Sequence, residues 1–379
     1  MIKWFFKYGL VVFLFNTILL SIKFTFQLGD VLFLGCMALF ALVLLINPSQ
    51  IKYIILHKAF NFFLLLNIIN VLYWLFFHSF SDYQAGKYLL ARGLQFSIIS
   101  FSVYYNFEYY KNKFLKHLVY VIFGVVAIGL VVNMNIFSGR YYGIIYNPNQ
   151  LSSLCCISFS ALLLNANKKT YFDYLLLLLF LIISLSTGSR GVLFAIPLAF
   201  IFKFGFSIRN IVYALFAIAT YLVIITIHLD TSINRFAEQS LFQDRLLQYH
   251  YAFETFKQKP FFGFGLDKYA FINPEIIPLA LSNIYPHNAY LAILVQYGFV
   301  FGFLVLSIIL HKSLLFLNKD ALENPENKFY IYLVAYTLLA GIFESLITGI
   351  NEFQTILFWF ALAFLSYSKF KQKDENQSN

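Results

Sequence analysis

Long apolar runs return along the whole of this 379-residue chain, and they leave it few ways to fold. Backbone in hydrocarbon must satisfy its own N–H and C=O groups, so runs of this kind span a bilayer as helices. A span takes about 20 mostly apolar residues, and by that measure we read about twelve. They are 4–22, 30–46, 60–77, 88–105, 118–137, 151–164, 174–185, 192–206, 211–229, 289–310, 329–347 and 353–367. The sixth to eighth are short, which suits helices inside the bundle or in a locally thinned bilayer. Composition agrees: 60% of residues are hydrophobic and 12% are charged. A soluble domain is nearer a quarter charged. Lys3 and Lys7 precede the first run as in a secretion signal, but no small-x-small cleavage pattern follows, so the run is expected to be retained.

The basic residues test the count. With the N-terminus on the cytoplasmic side, the inner connections hold Lys52, Lys58, Lys111, Lys113, Lys116, Lys168, Lys169, Lys203, Arg209, Lys312, Lys319 and Lys328. The short outer loops hold Lys23, Lys87, Arg140 and Arg190. This is the asymmetry that orients membrane helices, and one miscounted span would invert every loop after it. The net charge of +10 is explained by these positions and argues for no nucleic-acid partner. The expected layout is a bundle over 1–229, an outer loop over 230–287, further spans over 288–368 and a polar, disordered cytoplasmic tail over 369–379. Cys36, Cys155 and Cys156 all sit in apolar runs and read as small packing residues.

The connection 230–287 is too long for a simple turn, and such loops are usually functional. Ser240 and Gln243 resemble a capping box that opens a helix reaching about Lys257. Pro260, Gly263 and Gly265 stop it, and Phe261, Phe262 and Phe264 suit a segment lying on the membrane. Basic and acidic residues balance within the loop, so an anion site there must be local.

Candidate chemistry lies at the outer face. In Tyr285-Pro286-His287-Asn288 the proline disfavours helix before it, and Asn288 is a good N-cap for the apolar run that follows. His287 then stands just outside a helix N-terminus, whose positive end favours the neutral imidazole that a general base needs. It is either such a base or an interfacial cap. Thr187-Gly188-Ser189-Arg190-Gly191 joins two spans. Arg190 there is either a bidentate ligand for a phosphate or an interfacial arginine extending its head to water. Arg245 shares a helix face with Gln248 and Tyr249, and is a solvated loop arginine unless it has an anionic ligand. Arg92, in the outer half of the fourth span, is another such arginine or a third anion contact. Asn147-Pro148-Asn149 signals a turn, with Asn149 capping the next helix. Glu344 and Glu352 are placed for a proton relay or for pairing with arginines. No Asp-x-Asp, phosphate-binding Gly-rich loop, His-Glu-x-x-His or Gly-x-Ser-x-Gly is present. We therefore expect no metal and no cofactor.

Taken in order, Asn147-Pro148-Asn149, the Arg190 hairpin, Asp244-Arg245 through Pro260-Phe261-Phe262-Gly263-Phe264-Gly265, and His287-Asn288 followed after nine residues by Gly298 resemble the O-antigen ligase and polymerase superfamily. The resemblance covers about 143–302. It departs in the spacing of Gly298 and Gly302 and in Gln296, where an acidic residue is common. It implies an all-α, GT-C-like integral membrane protein with a large periplasmic loop between spans nine and ten, in the bacterial inner membrane. The implied reaction is a metal-independent, inverting transfer of a glycan from undecaprenyl diphosphate to an acceptor hydroxyl of lipid A–core or of another glycan. His287 would activate the acceptor. Arg190 and Arg245 would hold the diphosphate, with Arg92 and Asn288 as further substrate contacts. The single large outer loop favours a ligase over a repeat-unit polymerase. A protein O-oligosaccharyltransferase and a glycolipid transporter are the remaining readings, and no paired repeats of the transporter kind are seen.

Overall fold

The computed structural model describes residues 2–136, 139–166, 168–205, 207–213, 215–216, 219, 243–266, 287–317 and 324–378. Among these the regular structure is helical, with one isolated antiparallel bridge between Ile22 and Ile145. The helices are α1 (Ile2–Ser21), α2 (Phe26–Ile46), α3 (Pro48–Ile55), α4 (Asn61–Phe77), α5 (Tyr83–Asn112), α6 (Phe114–Val132) and α7 (Pro148–Leu164). After them come α8 (Tyr171–Ser186), α9 (Val192–Phe204), α10 (Gln243–Gln258), α11 (Ala289–Leu314), α12 (Lys328–Ala340) and α13 (Phe353–Ser378). Six described helices are long and apolar enough to cross a membrane, and α7, α8, α9 and α12 are shorter apolar ones. Most of the expected ninth span, the Ser240 end of the expected capping box and Pro286 lie outside the described residues.

Burial sorts the helices into a centre and a rim. The apolar window of α13, Phe353–Glu375, is 83% buried, whereas that of α2 is 22% buried, so α13 is the axis and α2 turns most of its surface outward. Helix α7 is also interior: every residue from Leu154 to Leu164 is buried, with Cys155 and Cys156 among them as packing residues. A short helix sealed inside protein has no need to match the bilayer thickness.

Two expectations are corrected. The tail after residue 368 continues α13 as helix to Ser378. Lys371 ties it down, with Nζ 2.9 Å from Glu108 Oε1 and over the Phe107 ring, and its Lys, Gln and Glu residues are good helix formers. The eleventh span ends at Ala340, short of 347, and the chain then descends through successive turns to Glu352.

Helix α11 is interrupted at Gly298, whose backbone takes φ 69° and ψ −174°. The loop after α10 repairs the break. Phe299 and Val300 N–H donate to the carbonyls of Pro260 (2.6 Å) and Phe261 (3.1 Å). In return Phe264 and Gly265 N–H donate to the freed carbonyls of Val295 and Gln296, each at 3.0 Å. Gly263 and Gly298 meet backbone to backbone, and a Cβ on either would overlap the other strand of this clasp. Tyr73 of α4 places its hydroxyl against both the Phe262 and Gln296 carbonyls. Leu266 N–H donates to His78 Nε2 at 3.1 Å, and His78 Nδ1 lies 2.7 Å from Asp82 Oδ2. The segment expected to lie on the membrane is thus a fastening that fixes α10 against α11, although Phe261 and Phe262 remain exposed.

Candidate functional site

The site begins where α11 begins. Asn288 Oδ1 accepts from the N–H groups of Tyr290 (3.0 Å) and Leu291 (2.9 Å), satisfying two donors that the helix itself leaves unpaired. Ala289 N–H donates to the Gly341 carbonyl at 2.8 Å, and the Tyr290 hydroxyl donates to the Leu338 carbonyl at 2.7 Å. The start of α11 is therefore bound to the end of α12. Beyond that end, Phe343 and Glu344 N–H both return to the Ala340 carbonyl. This turn brings the Glu344 carboxylate to His287.

His287 takes φ 42° and is the one described non-glycine residue with positive φ. Such a backbone costs about 1–3 kcal/mol and gathers at functional sites. Its Nδ1 lies 2.8 Å from Glu344 Oε2, while Glu344 Oε1 accepts from Arg245 Nη2, also at 2.8 Å. A carboxylate paired with a guanidinium accepts, so His287 Nδ1 is the donor in this contact. The dipole argument from sequence omitted this carboxylate, which lies against the ring. Arg245 Nη1 donates to Gln248 Oε1 at 3.1 Å, and the Tyr249 hydroxyl donates to the Ile342 carbonyl. Burial pushes the Tyr249 phenol above its ordinary value, so it stays a donor. Arg245 is thus not a solvated loop arginine: its side chain is 15% exposed and held in one orientation.

Arg190 sits in the hairpin between α8 and α9, where Gly188 supplies φ 61°. Phe194, on the first turn of α9, stacks on Phe343 with ring centres 5.1 Å apart. Gly191 packs beneath the Tyr336 hydroxyl of α12. The hairpin therefore flanks the turn that carries Glu344. A residue missed in sequence, Arg140, fastens it from the other side. Arg140 Nε donates to the Thr187 carbonyl at 3.1 Å and Nη2 to Asn149 Oδ1 at 2.6 Å. This corrects the reading of Asn149: the cap of α7 is Asn147, whose side chain accepts from Asn149 N–H. The sequence signal was that Arg140 is one of few basic residues in the short connections read as outer.

Arg92 is not brought to this cluster as a charge. It is 3% exposed and donates to Gln95 Oε1 (2.7 Å), the Tyr88 hydroxyl (3.2 Å) and the Thr348 carbonyl. The cavity that it lines with Asn70, Gln296 and Trp359 measures about 30 Å³. That is room for about two waters. Arg92 stitches α5 to the turns that follow α12. Glu344, weighed in sequence as a relay or an arginine partner, is the residue that joins the candidate base to a candidate anion-binding arginine.

All of these groups lie at one end of the bundle, together with the Ile22–Ile145 bridge and the His78 fastening. The ion pairs Lys111–Glu326 and Lys371–Glu108 join segments at the other end, where the basic connections gather. No curated protein matches the chain. The sequence model of the family described as O-antigen ligase matches residues 175–307, which include Arg190, Arg245, His287 and Asn288 but not Arg92, Arg140 or Glu344. Over that stretch the chain is similar to the O-antigen ligase family, the resemblance that its motifs imply, and its apolar helices are those of a membrane protein.

Proposed function

We propose that the protein is an O-antigen ligase, transferring a glycan from undecaprenyl diphosphate to a hydroxyl of lipid A–core at the outer face of the bacterial inner membrane. The observation that carries this reading is the chain of contacts Arg245–Glu344–His287, each 2.8 Å long, beside the Arg190 hairpin. His287 Nε2 takes the proton of the acceptor hydroxyl. The acceptor oxygen attacks the anomeric carbon from the side opposite the leaving group, so one bond forms as the bond to the diphosphate breaks and the configuration inverts. Arg190 and Arg245 bind the diphosphate and offset the charge that develops on it, as preorganised donors do. Asn288 holds His287 in place through the cap of α11. The family match supports the superfamily, and within it the single long outer connection read from the sequence favours a ligase, with a repeat-unit polymerase as the alternative.

The test is a deletion strain complemented with variants. Loss of all long glycan from lipid A–core, with lipid-linked polymer retained, is the ligase outcome. Core carrying a single repeat is the polymerase outcome. Lysine keeps the charge but loses the bidentate fork, so Arg190→Lys and Arg245→Lys should each fail to complement while accumulating in the membrane. Normal transfer in the double variant would remove both arginines from the site. Reporter fusions should place Lys168 in the cytoplasm and Lys257 outside; a cytoplasmic Lys257 would overturn the assignment.

A further inference from the structure

We infer that Glu344 is an exchangeable counter-ion: donor diphosphate draws Arg245 away from it, and the released carboxylate then serves His287 alone. This rests on the function proposed above and adds a coupling between donor loading and the base.

The geometry divides one carboxylate between two partners, Oε1 to Arg245 and Oε2 to His287. The arrangement is not sealed, since Glu344 and His287 keep 33% and 30% of their side-chain surface exposed. Glu344 also stands just past the C-terminal end of α12, where the helix presents carbonyl oxygens and a negative charge gains nothing from the dipole. Its stabilisation must come from its two side-chain partners. Arg245 keeps a second hold on the buried Gln248, so it can turn from Glu344 without leaving α10. A diphosphate carries more charge than a carboxylate and offers paired oxygens that match the guanidinium fork. A half-open ion pair contributes about 1 kcal/mol or less, so the exchange is within reach of ordinary ligand binding.

The consequence falls on His287. While Arg245 neutralises Glu344, the carboxylate does little to stabilise a positive ring. Once the arginine has moved, the whole charge faces Nδ1–H, fixing the tautomer and stabilising the imidazolium that forms as Nε2 takes the acceptor proton. Glu344 is a positioning residue in this scheme, touching neither substrate.

Glu344→Gln separates the scheme from a static clamp. The amide keeps shape and hydrogen bonding but does not compete for Arg245. With purified protein in nanodiscs and undecaprenyl diphosphate as the probe, the variant should bind the probe roughly three- to fivefold more tightly, the equivalent of the lost ion pair. Its transfer rate at saturating donor should fall at least about tenfold, as expected when a general base loses its orienting partner. Probe affinity that is unchanged or weaker, or an unchanged rate, overturns the exchange. If Glu344→Gln does not accumulate, Glu344→Ser carries the same two expectations. Failure of the underlying function looks different: Arg245→Lys and His287→Ala would then both transfer normally. If those two are inactive and Glu344→Gln does not tighten probe binding, only the exchange is wrong.

Discussion

Arg92 and Arg245 both reach the turns between α12 and α13, and the contrast between them separates architecture from chemistry. Arg92 is sealed in the bundle and donates to a glutamine, a tyrosine and a backbone carbonyl, with the Glu352 carboxyl within electrostatic reach. Nothing there can leave without orphaning a buried polar group. Arg245 lies on α10, with a partner that is charged, a third exposed and shared with a histidine. A guanidinium held by a displaceable anion is suited to an incoming anion; one held by a backbone carbonyl is suited to staying put.

Substitutions sharpen the contrast in descending order of effect. Arg92→Leu orphans several acceptors at about 1–3 kcal/mol each, so the purified variant should melt much earlier than the wild type or fail to accumulate. Arg245→Leu should shift the same melting curve by about 1 kcal/mol or less, because water can replace it at Glu344, while transfer is lost. Equal destabilisation by the two would erase the distinction. Gly298→Ala forces an alanine into a left-handed backbone at about 1–3 kcal/mol and pushes it against the Phe261 carbonyl. It should open the clasp, seen as faster proteolysis near Lys259, and should reduce transfer by freeing α10. Asn288→Ala removes a cap and should cost ~1 kcal/mol, with a milder loss of transfer than any change at Arg245. Lys371→Ala, at an exposed pair far from the site, should lower stability by about 1 kcal/mol or less and leave transfer untouched.

What sequence revealed and what it hid follow from the range of the forces involved. Spans are local, so the helices fall where the apolar runs do, and the Asn288 cap was legible because a cap bonds two and three residues ahead. The stop after α10 was equally local, written in Pro260, Gly263 and Gly265. The clasp was not, because the carbonyls it serves belong to Val295 and Gln296, more than thirty residues on. Glu344 was seen as a rare acid near an outer helix end, but its pairing with Arg245 and His287 spans 99 and 57 residues. Arg92 and Arg245 looked alike as isolated outer arginines; only the burial of their partners tells them apart. The tail misled because its polarity says nothing about Glu108, its partner on α5.

In the proposed reaction His287 moves a proton while the arginines bind the donor. The most direct test compares purified His287→Ala with wild type in the same nanodiscs, measuring transfer rate at saturating donor and donor affinity separately. A positioned base contributes ~10²–10⁴-fold, so the rate should fall by about that factor while donor affinity is kept. Collapse of donor affinity with an unchanged saturated rate would make His287 a binding residue and contradict the account.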